Sequence, residues 1–88
     1  MSSTHNVPNI YVLNMKRVPE DRFGWTEAFE TWRQRRGVHV NWKFTPTASN
    51  QWTATVVLAG RTFDGLGVTK QEAKNNAVIN IERANILY

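Results

Sequence analysis

An α+β fold of order helix, strand, strand, strand, helix is what this 88-residue sequence predicts. Two segments with helical hydrophobic spacing, residues 25–36 and 70–87, bracket a stretch whose apolar residues alternate in twos. The links between the strands are too short for a parallel crossover, so the strands form an antiparallel meander. One three-stranded sheet with both helices on one face accounts for the pattern. The length suits one domain with a small core.

Residues 1–9 are polar, include Pro8 and lack periodicity, so a disordered tail is expected. Residues 10–15 are apolar and read either as a short extra strand or as a helical turn. Pro19 and Gly24 break the charged connector that follows. Residues 1–24 are therefore read as an N-terminal extension, and 25–88 as the domain proper.

In the first helix Trp25, Phe29 and Trp32 fall at i, i+4 and i+7, with Ala28 beside them, and form the core-facing stripe. Glu27, Glu30, Arg33 and Gln34 take the opposite side. Gly37 suits a left-handed C-terminal cap, and Arg35 and Arg36 suit the negative end of the helix dipole. Residues 38–45 read as the first strand, with Val38, Val40, Trp42 and Phe44 on one face. Residues 46–51 are a turn-rich loop, and 52–58 the second strand. Ala59 and Gly60 make a two-residue turn into a third strand over 61–64, which Gly65 and Gly67 end. The last helix follows, with Ala73, Ala77, Val78, Ile81 and Ala84 facing the sheet.

The start of that helix carries the chemistry. Thr69 and Glu72 form a capping box, in which the Thr hydroxyl takes the Glu72 N–H and the carboxylate reaches back to the Thr69 N–H. Lys70 and Lys74 are four residues apart and share one helix face. Free N–H groups, the positive end of the dipole and two ammonium groups thus meet at one spot, which suits an anion such as phosphate.

Composition narrows the function. Eleven Lys and Arg against seven Asp and Glu give +4 and a pI near 10.0, which favours a polyanionic partner. Without cysteine there is neither a disulfide framework nor a thiolate zinc site, consistent with an intracellular protein, cytoplasmic or nuclear. No apolar run is long enough to span a membrane, and the first residues lack a secretory pattern. His5 and His39 have no carboxylate partner by spacing, and the seven carboxylates are scattered. No enzyme, metal site, cofactor or small-molecule substrate is expected. The glycines before Thr69 and Lys70 do not complete a nucleotide-binding loop, and no βαβ unit surrounds them.

The element order, with Gly67-Val68-Thr69-Lys70-Gln71-Glu72-Ala73-Lys74-Asn75-Asn76-Ala77, resembles the double-stranded RNA-binding domain. That family opens its last helix with a Ser or Thr cap and a Lys-Lys-x-Ala-Lys motif after a Gly-rich segment. The resemblance covers about residues 25–87. It implies binding of duplex RNA by shape rather than sequence, with lysines spanning the major groove and two flanking regions touching minor grooves. Lys70 and Lys74 match the motif's first and last lysines, and Gln71 stands at the second. By the same resemblance Thr69, Glu30, Thr31, Pro46 and Asn50 belong to the RNA-binding set. The loop departs from the family: Thr45, Pro46, Thr47 and Ala48 stand where Gly-Pro-x-His is usual, so the Pro is kept and the His is not. The alternative use of such a fold is protein contact or homodimerisation, through the edge of the third strand or through residues 10–15.

Overall fold

The computed structural model describes residues 10–88, so the expected tail at 1–9 lies outside the described residues. Its order is α1 (Trp25–Arg36), β1 (Lys43–Pro46), β2 (Trp52–Leu58), β3 (Arg61–Gly67) and α2 (Lys70–Arg83). A single turn of 3₁₀ helix, Glu20–Arg22, precedes α1. The sheet is antiparallel in the order β1-β2-β3, as the αβββα reading expects.

Alternation in β2 sorts the sheet into two faces. Ala54, Val56 and Leu58 are buried, and Val57 is exposed. The buried face meets Trp25, Phe29 and Trp32 of α1 and Val78 and Ile81 of α2 in one cluster. A second cluster, Ala54, Ala73 and Ala77, sits under the start of α2. Both helices therefore cover the same face. Ala59 and Gly60 have φ of 54° and 74°, the pair of positive values that a two-residue hairpin turn needs.

Three expected boundaries move. The first strand spans only Lys43–Pro46, not 38–45. Lys43 pairs with Thr55, so residues before Val40 would lie opposite the β2–β3 turn, where no ladder remains. The Val38 backbone is satisfied elsewhere, its N–H by Arg33 O and its carbonyl by the Arg33 guanidinium. Val38, Val40 and Trp42 still pack on the core. The last helix ends at Arg83, with Ala84 as its cap and Asn85 in the left-handed region. Six further residues of helix would turn Leu87 roughly 240° from Ile81, away from the core. Unwinding instead buries Leu87 to 2% exposure.

The third strand does not stop at Asp64 but runs to Gly67. Gly65 and Gly67 are ladder residues, paired with Ala54 and Trp52. Their role is close approach. A Cβ on Gly65 would stand 2.2 Å from the Ala77 nitrogen, and one on Gly67 2.4 Å from the Ala73 nitrogen. Backbone meets backbone here, so α2 lies hard against β3.

Residues 10–15 form neither a strand nor a helix but an irregular segment with a turn, docked on the end of α2. Leu13 joins the core, and Tyr11 N–H donates to Leu87 O at 2.9 Å. The Glu82 carboxylate accepts the Leu13 and Asn14 N–H groups at 3.1 and 3.2 Å. The Asn14 side chain closes the following turn on Val18.

Two outcomes are expected. Gly65→Ala should destabilise the fold by about 3 kcal/mol or prevent folding, because its Cβ meets rigid helix backbone; the midpoint of urea unfolding measures this. Glu82→Ala should cost about 1 kcal/mol and speed hydrogen exchange at the Leu13 and Asn14 amides, leaving β2 amides protected.

Candidate nucleic-acid interface

The site is built where β3 hands over to α2. Thr69 is extended, with φ −121° and ψ 162°, and its hydroxyl accepts the Glu72 N–H at 3.0 Å. Half of the expected capping box is thus present. The Glu72 carboxylate reaches back one residue further than expected, to the Val68 N–H at 2.8 Å. The reciprocal closure survives with its return bond displaced.

Lys70 extends over aromatic residues of β1 and β2, and Lys74 over Trp42 just before β1. The Lys70 Nζ lies 4.7 Å from the Trp52 ring centroid and 5.8 Å from that of Phe44. The Lys74 Nζ lies 5.1 Å from the Trp42 centroid. These are cation–π distances, each worth about 0.5–1 kcal/mol at a partly exposed site. No carboxylate forms a salt bridge with either lysine among the described residues. Both ammonium groups thus keep hydrogen-bond donors for an anion. Trp42 and Phe44 stack with centroids 6.5 Å apart, and Phe29 meets Trp42 edge-on at 6.1 Å. The Trp42 Nε1 is buried without an acceptor.

Gln71 points across to α1. Its side-chain amide donates to the Thr26 hydroxyl at 2.9 Å and to Asn75 Oδ1 at 3.2 Å, and the Thr26 hydroxyl itself donates to Asn75 Oδ1. Thr26 and Asn75 are the two polar residues that sequence reasoning missed. The available signal was position: Thr26 sits in the first turn of α1, whereas the expected contacts were placed one turn later.

Glu30 and Thr31 are not brought to the lysines in the same way. Glu30 forms a salt bridge with Arg33 at 2.8 Å on the half-buried flank of α1. The hydrogen bonds that the Arg33 guanidinium donates to the Glu30 carboxylate hold its pKa above the ordinary arginine value. Thr31 is exposed and lies roughly 140° around α1 from Thr26. Pro46 ends β1 opposite Trp52, on an edge strand where its missing N–H costs no ladder bond. Beyond it the loop is tied internally, with Thr47 Oγ1 accepting the Ser49 and Gln51 N–H groups at 3.2 Å. Asn50, at φ 60°, is the exposed tip of this loop.

The other side of the α2 start is acidic. Glu20, Asp21 and Glu72 line an open groove of about 410 Å³ together with Trp25 and Ile79, and Glu20 also pairs with Arg83 at 3.3 Å. Polarity therefore changes sign across the first turns of α2. Among the described residues no group of His, Asp and Glu is set to hold a metal ion, and no helix is long and apolar enough to cross a membrane.

Comparisons with protein-family models, with curated proteins and with solved structures return no match.

Thr69→Ala should lower stability by about 1 kcal/mol through loss of the cap, measured by urea unfolding. The amide of Glu72 should then lose most of its protection from hydrogen exchange.

Proposed function

We propose that this domain binds double-stranded RNA by shape, with the start of α2 on the phosphates. One observation carries the reading. Two lysines without carboxylate partners flank a capped helix N-terminus, on a αβββα scaffold whose opposite flank is acidic. A polyanion is attracted to the lysine side and repelled from the groove rimmed by Glu20, Asp21 and Glu72. That fixes the approach direction without any base contact.

Duplex RNA suits this charge pattern better than a small anion. The narrow A-form major groove brings phosphates of both strands close together, and the lysines can clamp it from outside. Thr26 and Gln71 are the next polar groups along the surface, able to meet phosphate or sugar hydroxyls. Gln71 supplies hydrogen bonds without charge, so the counterion release should be that of two lysines at this spot. The resemblance of residues 67–77 to the double-stranded RNA-binding domain supports the same reading.

A second reading, protein contact, is favoured by the exposed side chains of Ile10, Val12 and Met15 on the docked extension. The other proposed contact, the edge of β3, is partly occupied. Asn76 donates to Leu66 O at 2.6 Å and Asn80 to Asp64 O at 2.7 Å, which takes acceptors a pairing strand would need.

The test is a titration of a labelled RNA duplex of about 20 base pairs, longer than the roughly 16 that such a domain spans. DNA of the same sequence is the control. Lys70→Ala with Lys74→Ala should weaken RNA binding about tenfold or more for every sequence alike. It should also reduce the salt slope by about one per lysine. Undiminished binding by the double variant would refute the site, and a domain that stays monomeric in light scattering until RNA is added would count against the second reading.

A further inference from the structure

We propose that Trp42, Phe44 and Trp52 determine the selectivity of this site for A-form over B-form duplexes, by holding Lys70 and Lys74 in place. The inference rests on the duplex-RNA reading and adds what sets its specificity. A lysine on the surface has a flexible four-carbon stem, and its ammonium can follow phosphates of almost any spacing. Such a pair would select charge, not shape. Here each ammonium has a fixed seat. Lys70 lies over Trp52 and Phe44, and Lys74 over Trp42.

The seats are themselves rigid. Phe44 is paired with Ala54, and Trp52 with both Pro46 and Gly67, so the sheet register fixes the backbone that carries two of the rings. Trp42 is set by stacking on Phe44 and by the edge of Phe29, which is fully buried. The lysine backbones are equally constrained, because Gly65 and Gly67 admit no side chain between β3 and α2. Four residues of helix separate the two Cα atoms by about 6 Å along the axis. A fixed pair of charges fits phosphates across a narrow groove. The B-form major groove is about 12 Å wide, and reaching across it would draw the ammonium groups off their rings. RNA binding keeps the cation–π contacts; DNA binding gives them up. The indole of Trp42 fits this role, since it offers the strongest π face although its N–H has no acceptor.

The experiment has two arms. In the free protein, ring currents should move the ε-methylene protons of Lys70 and Lys74 upfield of those of Lys16 and Lys43. Trp52→Leu, which stays apolar but removes the ring, should reduce the Lys70 shift to what Phe44 alone leaves. In titrations with RNA and DNA duplexes of one sequence, Trp52→Leu should lower the RNA-to-DNA affinity ratio about three- to fivefold, with the salt slope unchanged. Phe44→Leu should act in the same direction and carries the test if Trp52→Leu does not fold. Unshifted lysine resonances in the parent, or an RNA-to-DNA ratio unchanged in the folded variants, would overturn the proposal. Shifted resonances in a parent that binds neither duplex would overturn it through the duplex reading instead, leaving the aromatic seats themselves established.

Discussion

The contact between β3 and α2 is the constraint on which the rest depends. Gly65 and Gly67 meet Ala73 and Ala77 with no side chain between the two backbones. A helix seated this low cannot slide or roll without a clash. Asn76 and Asn80 add two hydrogen bonds to β3 carbonyls at 2.6 and 2.7 Å and oppose sliding along the strand. Thr69 can then cap the helix two residues after β3 ends, and Lys70 and Lys74 are delivered over the rings of Trp52 and Trp42. The chemistry of the site is thus a consequence of four small residues.

Much of this fold is legible in the chain, for identifiable reasons. The spacing of Trp25, Phe29 and Trp32 predicts α1, and all three are buried. Alternation predicts β2, whose observed limits are those of the pattern. The Thr69 cap predicts the start of α2. The boundaries that move do so where tertiary contacts outweigh local pattern. Val38 and His39 continue the strand alternation, yet by the register they would lie opposite the Ala59–Gly60 turn, where the sheet has ended. Gly65 and Gly67 look like a turn because glycine so often ends strands, but here the missing side chains serve packing. Leu87 extends the helical pattern in sequence and leaves it in space, because burial rewards unwinding at Asn85.

The candidate site was less legible than the fold. Lys70 and Lys74 could be found because helix periodicity and capping rules place them, and Gln71 because it stands at the second lysine of the motif that residues 67–77 resemble. The partners of Gln71 could not, because Thr26 is 45 residues away and meets it only through the packing of α1 on α2. The aromatic seats were hidden for a similar reason. Trp42, Phe44 and Trp52 read as sheet core, and nothing in their spacing says that lysines will lie across them. Electrostatics followed the same division: net charge is visible in composition, whereas the change of sign across α2 exists only once Glu20, Asp21 and Glu72 are gathered around one groove.

What distinguishes this surface is therefore arrangement rather than quantity of charge. A net charge of +4 is modest, but Lys70 and Lys74 stand together without salt bridges while Glu20, Asp21 and Glu72 line the adjoining groove. The most direct measurement is amide chemical-shift mapping of the domain with a short RNA duplex. The largest changes should fall at residues 68–71, at Lys74 and at Thr26, with Glu20 and Asp21 unmoved. Saturable binding that left residues 68–71 and Lys74 silent and shifted Asp21 or the exposed sheet face instead would contradict a phosphate site at the head of α2.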